Sequence, residues 1–250
     1  MLKADPLYAA PTKPKNTYAN SMEPVRFHDL GNMPYKQAWE YQELLFDKLQ
    51  QAKSQGQTTD KGVLLLVEHP HVFTLGKSGN LSNLLVNEQY LRDKGADFYR
   101  INRGGDITYH GPGQIVGYPI FNLDAFQMGV REYIFRLEEA VIECLKSWGV
   151  NAERLEGATG VWLDAKSETN ARKICAIGVR ASRGITMHGF AFNVNTDLSF
   201  YQWINPCGFT NRGVTSMARE TAGTLSVEAV KTELLRCLGS QFGVQFISGT

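Results

Sequence analysis

An α/β domain is what the patterning of this chain permits, on three observations. Segments with helical periodicity alternate with short β-branched runs, turns rich in Gly and Pro separate the runs, and 250 residues suffice for one large domain. A chain of this length buries roughly 70 to 75% of its unfolded surface, so a full core is available without staples. Apolar residues make up 43% and charged residues 20%, and 26 Lys and Arg stand against 25 Asp and Glu for a net charge of +1. That balance removes the clustered basic face on which general nucleic-acid binding depends.

Residues 1–24 are rich in Pro, Lys, Asn and Ala without apolar periodicity, and read as a flexible tail before a domain of residues 25–250. From Pro34 to Gln51, Ala38, Tyr41, Leu44, Leu45, Phe46 and Leu49 recur at helical spacing, with Pro34 suited to a first turn. Residues 62–75 (GVLLLVEHPHVFTL) read as two strand pieces divided at His69-Pro70. Residues 100–123 hold five glycines and two prolines among aromatic and β-branched residues, as strands interrupted by a tight loop would. Over residues 130–148, Val130, Ile134, Leu137, Val141, Cys144, Leu145 and Trp148 share one helical face, stopped by Gly149. Three strand-like runs follow at 160–163, 172–181 and 185–194, the last two joined by Ser182-Arg183-Gly184 as a hairpin. Ser226 reads as the N-cap of a helix over 227–238.

No run approaches the roughly 18 apolar residues of a membrane span, and the N-terminus lacks a secretory h-region, so a cytoplasmic protein is expected. The four cysteines, Cys144, Cys175, Cys207 and Cys237, are widely spaced with no C-x-x-C pair. His69 and His71 have the spacing of two ligands on one strand face, but no third ligand stands near them, and no metal is expected.

Three places could carry chemistry. Residues 103–114 (RGGDITYHGPGQ) combine Gly104 and Gly105, which permit close backbone approach, with donors on Arg103, Thr108, Tyr109 and a titratable ring on His110. The segment is not a Walker loop, and a bulged strand with a β-turn is its bland alternative. Cys207, between Pro206 and Gly208, sits in a sharp turn that would hold a thiol at a fixed angle, although a lone cysteine is more often a small hydrophobe. Lys173, amid Ile174, Cys175, Ala176 and Ile177, is placed for partial desolvation and proton transfer, or else is an edge-strand charge. Strand alternation puts 173, 175 and 177 on one face.

Taken in order, RGGDITYHGPGQ, GVW (160–162), KICAIGVR (173–180), HGFAFNVN (188–195) and NPCG (205–208) resemble the octanoyltransferases of lipoate biosynthesis, also called lipoate-protein ligase B, over about residues 25–240. The resemblance implies an α/β domain of the biotin/lipoate protein ligase type, with a mixed sheet and packed helices. It implies transfer of an octanoyl group from octanoyl-acyl carrier protein, through a thioester on Cys207 assisted by Lys173, to lysines of lipoyl domains. The acceptors would be the lipoyl domains of 2-oxoacid dehydrogenases and the glycine cleavage H protein, with no cofactor, nucleic acid or membrane partner. By the same resemblance Arg103, Gly104, Gly105, Asp106, Ile107, Thr108, Tyr109, His110, Ala176, Ile177, Gly178, Gly189, Phe190 and Ala191 contact the acyl substrate. Backbone N–H groups near Gly104, Gly105 and residues 176–178 are expected to hold the thioester oxygen. Asp106 stands where the family often has Gln or Lys, and residues 1–21 lie upstream of the usual start. The alternatives are an ATP-dependent lipoate ligase, which needs no covalent cysteine, and a binding protein without turnover.

Overall fold

The computed structural model describes residues 22–57, 59–206 and 212–249. In chain order its elements are β1 (Glu23–Asn32), α1 (Tyr35–Ser54), β2 (Gly62–Glu68), β3 (Val72–Leu75), α2 (Glu88–Asp93), β4 (Asp97–Arg100), β5 (Ile107–His110), β6 (Gln114–Phe121), α3 (Val130–Ser147), β7 (Glu153–Leu155), β8 (Ala158–Leu163), β9 (Arg172–Ser182), β10 (Ile185–Asn193), β11 (Gly213–Val214), α4 (Met217–Glu220), α5 (Val227–Phe242) and β12 (Val244–Ser248). Among the described residues the main sheet runs β12-β1-β2-β6-β10-β9-β8-β7, with β11 beside β9, and a second sheet runs β4-β3-β5. β1 lies parallel to β12 and β2, whereas β2 through β7 along that order pair antiparallel, so the sheet is mixed.

Helices cover the main sheet on both faces. α3 and α5 enclose one core with Leu137, Val141, Cys144, Leu234 and Phe242 against Phe190, Phe192, Ile174 and Cys175. On the opposite face α1 packs Tyr35, Ala38, Phe46 and Leu49 against Leu65, Val67, Val116 and Tyr118. Each such fully buried side chain contributes roughly 1.5 to 3 kcal/mol relative to exposure. The small sheet closes a third cluster around Phe73, Ile107 and Tyr109.

Most expected elements form near their expected limits, and the departures have physical causes. In α1, Leu44 faces solvent at 58% exposure, while Gln42 is buried because its Oε1 accepts the His188 N–H at 3.0 Å. α5 continues past Leu238 to Phe242, since Gly243, at φ 65, rather than Gly239 is the left-handed residue that stops it. The β9–β10 connection is a two-residue loop with both Arg183 (φ 52) and Gly184 (φ 76) left-handed, as the twist of an antiparallel hairpin favours. Of the tail expected over residues 1–24, residues 1–21 lie outside the described residues, while Glu23 and Pro24 already belong to β1, held by pairing with Val244 and Gln245 of β12. No helix among the described residues is long and apolar enough to cross a membrane.

β6 and β10 cross at a point where only glycine fits. A Cβ on Gly117 would stand 2.1 Å from the Phe190 ring, and one on Gly189 would stand 2.2 Å from the Gly117 carbonyl oxygen. Gly117→Ala is expected to force the Phe190 ring aside at a cost of about 1 to 3 kcal/mol, read as a Tm drop of roughly 2 to 12 °C in thermal unfolding.

Candidate active site

The β8–β9 register determines where Lys173 points. Val161 pairs with Cys175 and Trp162 with Lys173, so β9 carries one extra residue, Ile174, as a bulge. Ile174 and Cys175 both enter the core beneath α3 and α5, whereas Lys173 turns out of it and lines a cavity. The expected common face of 173, 175 and 177 is therefore broken: Cys175 is fully buried, with desolvation pushing its thiol up, and does not line the cavity. Parallel pairing of Val214 with Lys173, and the Thr215 N–H donated to the Lys173 carbonyl at 2.9 Å, hold the other edge of the strand.

Lys173 is only 8% exposed. Its Nζ lies 4.7 Å from the centroid of the Trp162 ring, and the Arg212 guanidinium stands 5.8 Å from the same ring. Trp162 is fixed by its own Nε1–H, donated to the Ala158 carbonyl at 2.9 Å. The lysine stem runs past Gly160, where a Cβ would meet Lys173 Cδ and Cε at 3.5 Å and the Cys175 carbonyl oxygen at 2.5 Å. Behind Gly160, the buried Glu138 of α3 accepts the Gly160 N–H at 2.9 Å and Arg154 Nε at 2.9 Å. Burial raises the Glu138 carboxyl, and the Gly160 N–H, Arg154 and Lys173 oppose that rise.

The cavity has a volume of about 540 Å³, within the range of small-molecule sites. Arg103, Gly104, Gly105, Asp106, Ile107, Thr108 and His110 line it together with Lys173, with Ala176, Ile177 and Gly178 of β9, and with Gly189, Phe190 and Ala191 of β10. Tyr109 does not, because its ring turns into the third cluster and stacks on Phe200 at 4.9 Å. Cys207 lies outside the described residues; Pro206 and Arg212, which flank residues 207–211, both line the cavity.

Buried Arg103 acts as a clamp for its own loop. Its Nη2 donates to the Thr74 carbonyl (2.8 Å) and Oγ1 (2.9 Å), and its Nη1 donates to the Gly104 carbonyl at 3.0 Å. Gly178 must be bare for this loop to seat, since its Cβ would lie 2.9 Å from the Gly104 carbonyl oxygen and 3.1 Å from Arg103 Cδ. The Gly104 N–H is already donated to the Val179 carbonyl at 2.9 Å, so it is not available to a thioester oxygen as expected. Gly105, at φ 84, makes the left-handed turn, and Asp106 then ties the loop down by accepting from Ile107 N (2.7 Å) and Asn83 Nδ2 (2.5 Å).

The model of the lipoyl protein ligase A/B catalytic domain matches residues 34–239. The octanoyltransferase of Parabacteroides distasonis is 54% identical over 213 residues, covering 85% of this chain and 96% of its own. That of Flavobacterium johnsoniae is 49% identical over 229 residues, covering 89% and 98% respectively. The chain belongs to the octanoyltransferases of this family. It is accordingly an acyltransferase. Among solved structures, a lipoate-protein ligase A bound with ATP superposes with a TM-score of 0.67 at 19% identity, over 92% of this chain and 90% of the other. The structure of a bi-partite lipoate protein ligase and its E2 lipoyl domain from Thermoplasma acidophilum gives a TM-score of 0.67 at 18% identity, over 92% and 88%. At these identities the likeness establishes the fold, which is the expected biotin/lipoate ligase type.

The enzyme's cavity also has a polar side, of which sequence reasoning named His110 but missed Tyr35, Tyr118 and Asn193. His110 donates from Nδ1 to Gln114 Oε1 at 2.9 Å, and Tyr35 stacks on its ring at 5.8 Å. Gln114 Nε2 donates to Asn193 Oδ1 at 2.8 Å, which joins the β5–β6 turn to β10. His69 uses both ring nitrogens, donating from Nδ1 to the Met33 carbonyl and accepting the Tyr118 hydroxyl at Nε2, each at 2.7 Å. His188, at φ 58, donates from Nε2 to Asn102 Oδ1 at 3.0 Å. Trp162 and Glu138 were overlooked as well. The first stood in a quoted motif without a role; the second was legible only as an acidic residue interrupting an apolar helix face.

Desolvation lowers His69 to about 4 and His188 to about 3, and holds His110 well below the ordinary value. These rings fold neutral, so their contribution to stability is complete above about 6.5 and is lost as pH falls towards those folded values. Each adds a slope of about 1.4 kcal/mol per pH unit in that window. Urea unfolding between pH 7 and 4.5 is expected to show a shallower slope for His69→Gln than for the native enzyme; equal slopes would mean that His69 is protonated in the fold.

Proposed function

We propose that this enzyme takes an octanoyl group from octanoyl-acyl carrier protein onto Cys207 and passes it to a lysine of a lipoyl domain. One observation carries the reading: Lys173, brought into the cavity by the β9 bulge, lines the same space as Pro206, to which Cys207 is directly bonded. The high identity to octanoyltransferases over most of their length supports the substrate class.

The chemistry divides into two balanced steps. In the first, Lys173 Nζ takes the proton of the Cys207 thiol, the thiolate adds to the octanoyl thioester carbon, and the carrier's sulfur leaves and regains a proton from Lys173. In the second, the acceptor lysine ammonium gives one proton to Lys173, the amine so formed adds to the Cys207 thioester, and the Cys207 sulfur leaves and takes the second proton, released by the new amide nitrogen. At pH 7 an ordinary thiol costs about 2 kcal/mol to ionise and an ordinary lysine about 4.6 kcal/mol to neutralise, so the acceptor amine poses the harder problem. A base already inside the cavity addresses both.

Burial of the alkyl chain against Ile107, Val116, Ile177, Phe190 and Ala191 offers roughly 5 kcal/mol at about 0.8 kcal/mol per methylene. Chain-length preference is graded by the same small increment.

Mass spectrometry of the enzyme incubated with octanoyl-acyl carrier protein, without ATP, is expected to show an octanoyl adduct on the wild type and none on Cys207→Ala. Lys173→Ala is expected to lower transfer to a lipoyl domain by about 100-fold or more while melting like the wild type. An adduct that survives Cys207→Ala would relocate the nucleophile, and strict dependence on ATP would favour the ligase reaction instead.

A further inference from the structure

The lysine in the cavity does not stand alone against the sheet. Gly160, the residue its stem passes, is held from behind by Glu138, a carboxylate that reaches through the sheet from α3 and is only 7% exposed. Gly160 is left-handed at φ 120, and its N–H is fixed by Glu138 Oε1 at 2.9 Å. A buried carboxylate on a core helix face is costly and persists only where partners satisfy it. Arg154 of β7 supplies one such partner at 2.9 Å, but Arg154 is also shared with Glu139 at 2.7 Å, the Phe135 carbonyl at 2.8 Å and the Phe135 ring at 3.7 Å. Two carboxylates thus divide one guanidinium on the side of Gly160 away from the lysine stem.

We propose that Glu138 is a positioning residue for Lys173: through the Gly160 N–H it sets the seat of the lysine stem, and its carboxylate acts on the proton transfer across that glycine. The inference rests on the role of Lys173 in the proposed transfer. Among the described residues, the charged and titratable groups facing this pair are Arg154 from β7, Cys175 beside Lys173 in β9, Glu139 on the same helix, and Arg212 ahead of β11 across the Trp162 ring. Of these, Arg154 and Arg212 oppose the carboxylate, and the Trp162 face supports the ammonium. A lysine that must give up and regain a proton in each half-reaction operates between these influences.

The rate of acyl transfer to a lipoyl domain, followed from pH 6 to 10, tests this. Glu138→Gln keeps an oxygen to accept the Gly160 N–H but removes the charge, and is expected to move the midpoint of the acid limb down by about half to one pH unit. Glu138→Asp keeps the charge and is expected to lower the rate with the midpoint unmoved. Should Glu138→Gln fail to fold, Arg154→Gln removes the positive charge facing the carboxylate while keeping a donor for it, and is expected to move the limb in the opposite direction by a similar amount. A fall in rate with no shift in the Gln variant, or the same shift in the Asp variant, would overturn the proposal and leave Glu138 a structural residue. Lys173→Ala, run alongside, separates the two levels: if it transfers at the wild-type rate, the role of Lys173 itself fails. If it is inactive while the midpoint stays put in Glu138→Gln, only the role of Glu138 fails.

Discussion

The bulge at Ile174 is the constraint on which the site depends. One extra residue in β9 lets Ile174 and Cys175 both fill the core under α3 and α5 and turns Lys173 out of that core into the cavity. Regular alternation would have buried the lysine among Phe192, Val161 and Cys144, where an ammonium would cost several kcal/mol unless paired. The sheet therefore resolves a conflict between core and chemistry by giving up one ladder position. β11 pairs with β9 at residues 172 and 173, beside the bulge.

The second device is close backbone approach. The loop after β4 seats on β9 only because Gly178 is bare, and β6 passes β10 only because Gly117 and Gly189 are bare. Arg103 lines the cavity, yet three of its hydrogen bonds go to Thr74 and Gly104. Its guanidinium serves as the scaffold of the glycine loop, and the loop in turn shapes the cavity wall. The Thr74 and Gly104 carbonyls and the Thr74 hydroxyl accept from this buried charge, and its field adds to desolvation in favouring the neutral form of His110 and His188.

These arrangements suit an acyltransferase. The chain meets apolar walls, the lysine is held against an indole face, and the polar groups that border the cavity are mostly bonded to one another: His110 to Gln114, His69 to Tyr118, His188 to Asn102. The segment that leads to residue 206 is anchored too. Phe200 and Trp203 pack into the third cluster, and Asn205 N–H is donated to the Asn83 carbonyl at 2.8 Å. The approach to Cys207 is thus pinned to the small sheet, independently of the strand that carries Lys173.

Much of this was legible from residues alone. Periodicity located α1, α3 and α5 and the strands that build the centre of the sheet, because each buries one continuous stripe and turn residues mark its ends. Ser226 and the Arg183-Gly184 turn were readable for the same local reason. β1 and β12 were not, since their burial alternates weakly and they pair with each other from opposite ends of the chain. The five motifs identified the family. What tertiary structure alone decided is which side of β9 receives Lys173, that Tyr109 turns away from the cavity, that Arg103 clamps its own loop, and that Glu138 stands behind Gly160. Strand periodicity is a local rule, whereas a bulge is chosen by the register of the neighbouring strand, and a buried charge by partners supplied from other elements.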